Sequence, residues 1–262
     1  MNSEHILKTA KTAAEEAGSI LMRYFEDGVS LRTKSSSVDL VSDADVSAER
    51  AIAEIIRAGF SDHHILGEEE NSGDVEAEHL WIVDPLDGTT NFAHGIPHFA
   101  VSIAYYHRGI ALTGVIFNPA RDHWYVAEKG SGATHNGKKI SVGQESSLND
   151  VVIGTGFFYD RGEMMRETLN AIERLFLQQI RGIRRFGTAS LDLAAVACGS
   201  FGGFFEYQLQ PWDFAAGRLL IEEAGGRVTD CHGAELPLAT TSMLASNGHL
   251  HEVLLNYVGQ DR

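Results

Sequence analysis

The sequence predicts a layered α+β architecture of two sheets. Three observations carry this: a long amphipathic helix opens the chain, a run of strands with tight-turn signals follows, and strands alternate with helices through the second half. In the opening stretch, residues 3–27, Ile6, Leu7, Ala10, Ala14, Ala17, Leu21 and Tyr24 recur at helical spacing and Gly28 supplies the stop. Residues 29–33 then read as a short strand, 34–43 as a polar loop, and 45–57 as a second helix with Ile52, Ile55 and Ile56 on one face. Strands are expected at 64–66, 80–83, 99–106, 111–117 and 123–127, with Arg108-Gly109 and Asn136-Gly137 as hairpin turns. In the second half, strands near 151–155, 182–185, 203–205 and 226–229 interleave with helices near 162–177, 188–198 and 214–224.

With 262 residues, 44% of them hydrophobic, and 5 prolines, the chain can bury a substantial core. No internal repeat or Pro-rich linker divides it, so a single domain over 1–262 is expected, with a soft boundary near 144–149. The two cysteines, Cys198 and Cys231, show neither disulfide-framework nor zinc-finger spacing. The N-terminal residues lack the apolar stretch of a signal peptide and no later run reaches the ~20 apolar residues of a membrane span, so a cytoplasmic protein free of the membrane is expected. A formal net charge of -15 disfavours nucleic acid as a direct ligand, because backbone phosphates are bound by Lys and Arg. An acidic chain that binds phosphate needs local positive charge from elsewhere, and divalent metals held by carboxylates supply it.

Four segments carry candidate chemistry. In Trp81-Ile82-Val83-Asp84-Pro85-Leu86-Asp87-Gly88-Thr89-Thr90-Asn91-Phe92, an apolar strand delivers Asp84, Pro85 stops the ladder, and Asp87 onward has the makings of a helix N-terminus. Two carboxylates beside free N–H groups suit phosphate and metal chemistry. Competing readings of this stretch are a calcium loop, which Pro85 and Leu86 do not favour, an aspartyl-nucleophile phosphatase, whose Asp-x-Asp is here Asp-x-x-Asp, and a plain capped turn. Gly67-Glu68-Glu69-Glu70 reads as a solvated acidic loop unless its strand neighbours that of Asp84, which would bring Glu68 beside Asp84. In Pro211-Trp212-Asp213-Phe214-Ala215-Ala216-Gly217, Asp213 is either a helix-capping residue or a site carboxylate, and the small residues imply close helix packing. The stretch from Lys34 to Asp45 reads as a polar loop with Ser42 or Asp43 capping the next helix.

Together these segments, with Gly187-Thr188-Ala189, resemble the inositol monophosphatase family over nearly the whole chain. The resemblance implies a layered αβαβα sandwich of the sugar-phosphatase type, a homodimer, lithium sensitivity and dependence on two to three Mg2+ ions per site. Carried over by position, Glu68, Asp84 and the Leu86 carbonyl are implied ligands of one ion, Asp84, Asp87 and Asp213 of a second, with a weaker third near Glu68. Asp45 and Thr89 resemble the pair that assists the attacking water, with Glu68 helping through the metal. Gly88, Thr89 and Thr90 are implied to hold phosphate. Asp87, Ala189, Glu206 and Asp213 are implied to line the substrate pocket. Arg184 and Arg185 could touch the second phosphate of a bisphosphate substrate, but adjacent arginines on a strand point to opposite faces, so one of them is expected to be structural. Phe157-Phe158-Tyr159, after Gly156, departs from the family pattern at the substrate rim. The implied activity is that of a phosphoric monoester hydrolase converting myo-inositol monophosphate to inositol and phosphate. Fructose 1,6-bisphosphate, histidinol phosphate or an adenosine bisphosphate are alternative substrates, and a binding role in a transcription or other assembly is the alternative of another class.

Overall fold

A computed structural model describes residues 3–27, 31–33, 40–157 and 161–259. Helices α1 (Ser3–Asp27) and α2 (Asp43–Gly59) lead into a seven-stranded sheet in the order β3 (His64–Gly67), β4 (His79–Asp87), β5 (Ala100–His107), β6 (Ile110–Asn118), β7 (His123–Glu128), β8 (Gly132–His135) and β9 (Lys138–Ile140). The β3–β4 pair is parallel and the rest form an antiparallel meander. Its hairpins close where expected: Arg108 and Gly109 have φ of 50° and 75°, Asn136 and Gly137 of 48° and 74°. Two successive left-handed residues give the turn twist that matches the twist of the strands.

The second sheet runs β11 (Gly182–Arg184), β10 (Val152–Thr155), β12 (Gly203–Leu209), β14 (Thr241–Ser246) and β13 (Arg227–Thr229). Residues 144–149 lie between the two sheets. Helices α5 (Ala189–Ala197) and α6 (Pro211–Glu223) fill the space between the sheets, while α4 (Glu163–Leu177) and α7 (His251–Val258) cover the outer face of the second. The period-2 alternation of strand side chains shows how the layers form. Trp81 and Val83 pack with α1 and α2, whereas Leu80 and Ile82 face α5 and α6. Phe204 joins the inner core and Phe205 the outer one. Helix, sheet, helix, sheet, helix is therefore the layering. No helix among the described residues is long and apolar enough to cross a membrane.

Several local expectations need correction. Pro85 does not end its strand: β4 continues to Asp87, with a register shift against β5 between Asp84 and Asp87. A bulge tolerates proline because its missing N–H is not asked to pair. Part of the expected polar loop is strand β2 (Leu40–Ser42), paired with β1 (Leu31–Thr33), while 34–39 lie outside the described residues. Helix α6 starts at Pro211, ahead of the expected 214, since proline suits the first helical position. Strand β14 and α7 were not expected at all. The first is interrupted by Ser242 and Ser246, and the second is only eight residues long.

Candidate active site

The parallel register pairs Gly67 with Val83, so the next residues, Glu68 just past the end of β3 and Asp84 within β4, stand side by side. The loop carrying Glu68 is held from below by Glu49, a fully buried acid on α2. Its carboxylate accepts the amides of Glu69, Glu70 and Asn71 at 2.7, 2.8 and 2.9 Å and the Asn71 side chain at 2.8 Å. A Cβ on Gly67 would lie 2.6 Å from that carboxylate, which explains glycine there. Sequence reasoning missed Glu49. The available signal was an acid in line with Ile52 and Ile56 on the buried stripe, a position that demands donors.

At the end of β4 the bulge turns each side chain to a purpose. Asp84 Oδ1 accepts the Leu86 amide at 2.9 Å. Asp87 receives the first amides of α5, from Ala189 at 3.2 Å and Ser190 at 2.7 Å, and the Ser190 hydroxyl. Gly88 follows at φ 96°, where a side chain would be strained and its Cβ would meet Thr188 Oγ1. It precedes the short helix α3 (Thr89–Ala93), so Thr89 and Thr90 open that helix at the cleft. The Thr89 hydroxyl lies 3.5 Å from Asp45 Oδ1 and 3.2 Å from the Leu86 carbonyl. Asp45 sits buried in the first turn of α2. Asn91 Nδ2 donates to the carbonyls of His98 and Phe186, both at 2.8 Å, and so ties α3 to the segment before α5.

From the other half, Asp213 enters as the third residue of α6, its Oδ2 accepting the Gln210 amide at 2.7 Å. It is thus both a capping residue and a site carboxylate. The carboxylate of Glu206 stands where a Gly156 side chain would be. Glu68, Asp84, Leu86, Asp87, Gly88, Thr89, Thr90, Ala189, Glu206 and Asp213 all line one cleft of about 440 Å³. Of the predicted site residues only Asp45 stays behind its wall, reached through Thr89. Phe157 is on the rim, and Phe158 and Tyr159 lie outside the described residues. Arg185 lines the cleft, whereas Arg184 is exposed and donates to the Ile183 carbonyl.

The electrostatics of the cleft are those of crowded acids. Burial, then the charges of Glu68, Asp87 and Asp213, pushes the Asp84 carboxyl well above the usual range. Asp213 is raised in the same way, chiefly by burial and by Asp87 and Glu68. Asp87 rises to about 6 through burial, although the Ser190 and Ala189 donors pull it down. Burial raises Glu206 to about 8 against the opposing pull of Arg185. Asp192, unforeseen in the sequence, is also raised by burial and by Asp87, and its Oδ1 has no hydrogen-bond partner among the described residues. Arg185 is the one cation among the described lining residues. A wall of hard oxygen donors with so little compensating charge fits a hard divalent cation.

Residues 2–261 match the Inositol monophosphatase family. The chain belongs to this family. An inositol-1-monophosphatase of Rhizobium meliloti is 44% identical over 252 residues, covering 95% of this chain and 94% of the relative. Nus factor SuhB of Pseudomonas aeruginosa is 40% identical over 261 residues, covering 97% and 95%. Among solved structures, the inositol monophosphatase from Anabaena superposes with a TM-score of 0.88 at 39% identity, covering 100% of this chain and 98% of that one. Membership of the inositol monophosphatase family supports a phosphatase, a hydrolase of phosphate esters, and the two-sheet layering is that of the family.

Proposed function

We propose that this chain hydrolyses the phosphate monoester of a small polyol, myo-inositol monophosphate in the first instance, with Mg2+ as cofactor. The observation that carries the reading is the convergence of Glu68, Asp84, Asp87 and Asp213 on one cleft beside the opening of α3 and beside Glu206. Glu68, Asp84, Asp87, Asp213 and the Leu86 carbonyl would hold the ions. When bound, they supply charge neutralisation of the phosphoryl group and acidify a water. The amides of Gly88, Thr89 and Thr90 hold phosphate oxygens. Thr89 takes a proton from the attacking water as its own hydroxyl proton passes to Asp45 Oδ1. The water oxygen bonds to phosphorus while the bond to the polyol oxygen breaks, and that oxygen regains a proton from solvent. Glu206 and Ala189 contact the polyol, and Asp87 and Asp213 border the same pocket. The same reading carries lithium sensitivity, a homodimer and a cytoplasmic setting.

Arg185 in the cleft favours a wider substrate range, since a guanidinium there can meet the second phosphate of a bisphosphate. Relatives bearing the name Nus factor SuhB favour an additional role as a partner in a transcription assembly. Phosphate release from a panel of phosphomonoesters, with and without Mg2+, tests the main reading. Mg2+-dependent turnover of inositol monophosphate above the panel average is expected. Turnover equal with and without the ion would sink it.

A further inference from the structure

At the opposite end of β4, the geometry points to a second and separate metal site, in which Glu78, His79 and His107 bind a transition-metal dication of the zinc class. One ligand atom from each of the three residues lies within 4.8 Å of the others. The site is independent of the phosphatase cleft: His79 begins β4 and Asp87 ends it, roughly 25 Å away at ~3.3 Å per residue.

The backbone dictates the juxtaposition. His79 and His107 are direct partners in the antiparallel β4–β5 register, which holds their side chains on one face at close range. Glu78 sits just before β4, and its carbonyl is pinned by the Arg108 amide at 2.8 Å. His107 Nε2 lies 3.4 Å from Glu78 Oε1. Two ligands on a tetrahedral ion with bonds near 2.1 Å stand about 3.4 Å apart. That pair is therefore already at coordination spacing.

The second imidazole is oriented in advance. In the tautomer whose Nδ1–H donates to Tyr105 Oη, at 2.8 Å, the Nε2 lone pair of His79 is left for a metal. The His79 ring is stacked between His63, at 4.4 Å, and His107, at 4.9 Å, with interplanar angles of 17° and 20°, and because imidazole binds an ion in its ring plane, one ring of the His79–His107 pair turns out of this stack to share it. His63 is fixed in turn by Trp81 Nε1, 3.0 Å from its Nδ1. Arg108 also contacts Glu78, through Nε at 3.2 Å and Nη2 at 2.7 Å, and both bonds go to Oε1. An ion between Oε1 and His107 Nε2 would displace these contacts, and Arg108 would still have the lone pairs of the second carboxylate oxygen to bond. Two imidazoles and one carboxylate select Zn2+, Cu2+ or Ni2+ over Mg2+, which prefers oxygen alone. Three protein ligands leave a coordination position open to water.

The test uses the full chain in excess Mg2+, so that the carboxylate cleft is filled, and titrates Zn2+ by calorimetry. One Zn2+ per chain that Mg2+ does not displace is expected, with a Zn2+-dependent rise in the thermal midpoint. His107→Ala and Glu78→Gln should each weaken Zn2+ binding at least tenfold, abolish the thermal shift, and leave Mg2+-dependent phosphatase activity unchanged. Cu2+ used as a spectroscopic probe should show two coupled nitrogens in the wild type and one in His107→Ala. Equal Zn2+ affinity in wild type and variants, or a copper spectrum without nitrogen coupling, would overturn the site. Either result identifies the cluster as a solvated Glu78–Arg108 ion pair flanked by stacked rings.

Discussion

Asp87 and Ser190, 103 residues apart in the chain, are joined by two hydrogen bonds: the Ser190 amide at 2.7 Å and its hydroxyl at 2.5 Å both donate to Asp87 Oδ2. One carboxylate thus locks β4 of the first sheet to the opening of α5 while facing the cleft. Fixing that side chain by donors from a second element gives it the rigidity that the metal-ligand role proposed for it requires.

Asp87→Asn separates the two duties. An amide offers one acceptor oxygen, so one of the α5 donors loses its partner, at about 1 to 3 kcal/mol. Relief of repulsion among the crowded acids offsets part of this. Urea unfolding should therefore shift by no more than about 2 kcal/mol, whereas kcat at saturating Mg2+ should fall at least a thousandfold, about 4 kcal/mol of barrier. Near-normal kcat would remove Asp87 from the metal set.

Thr89 offers a cleaner probe of proton movement. Thr89→Ala deletes the hydroxyl that lies between Asp45 and the cleft, and kcat should drop by about a hundredfold to ten-thousandfold with little change in stability. Thr89→Ser should recover most of the rate. If Ser and Ala variants were equally slow, the hydroxyl would not carry the proton.

Substrate choice is tested at Glu206. In assays above about pH 8, where the Glu206 carboxyl is ionised, a hydrogen bond from a ring hydroxyl to it is worth about 1.5 to 3 kcal/mol, so Glu206→Gln should lower kcat/KM for inositol monophosphate roughly tenfold to a hundredfold. An aryl phosphate without that hydroxyl should react almost as before. Equal losses on both substrates would take Glu206 out of the recognition pocket.

Metal-free stability should depend on pH through the same residue. The Glu206 carboxyl rises from 4.5 to about 8 on folding, and Asp87 from 3.8 to about 6. Raised values mean that the folded chain binds more protons than the unfolded one. The stabilisation is complete below the unfolded values and is lost as pH climbs through the folded ones. Denaturation of the chelated protein should therefore show stability falling between pH 5 and 8, by up to about 1.4 kcal/mol per pH unit for each proton involved. Glu206→Gln should flatten this slope above pH 6. A wild-type curve that rises over the same interval would contradict the assignment.

Glu49 is predicted to matter despite its distance from any reacting atom. Glu49→Ala leaves three amides and a side-chain NH2 without their acceptor, a loss of about 3 kcal/mol or more in urea unfolding. Because the freed loop carries Glu68, apparent Mg2+ affinity should weaken in the same variant. Unchanged values of both would mean that the loop is held by other contacts.

Much of this arrangement was legible in the chain. Periodicity located α1, α2 and most strands, because 3.6- and 2-residue repeats are written directly into the order of apolar residues. Asn136-Gly137 and Arg108-Gly109 announced their turns through backbone preference alone. The acids at 68, 84, 87 and 213 were expected in one site only through the resemblance of their motifs, taken together, to a known family, since each motif alone also reads as a solvated loop, a turn or a helix cap, and the fold brings all four to one cleft. Tertiary structure alone decided the rest, since those decisions depend on partners distant in sequence. Nothing near Glu49 in the chain shows that the amides of 69, 70 and 71 will meet it. Nothing near Asp87 names Ser190, and nothing near Pro85 shows that a bulge will carry β4 onward past it. The pairing of His79 with His107 likewise exists only once the β4–β5 register is set. Sequence fixes what each residue can do and the repeat to which it belongs, while register and burial determine which groups meet and how far their charges are shifted.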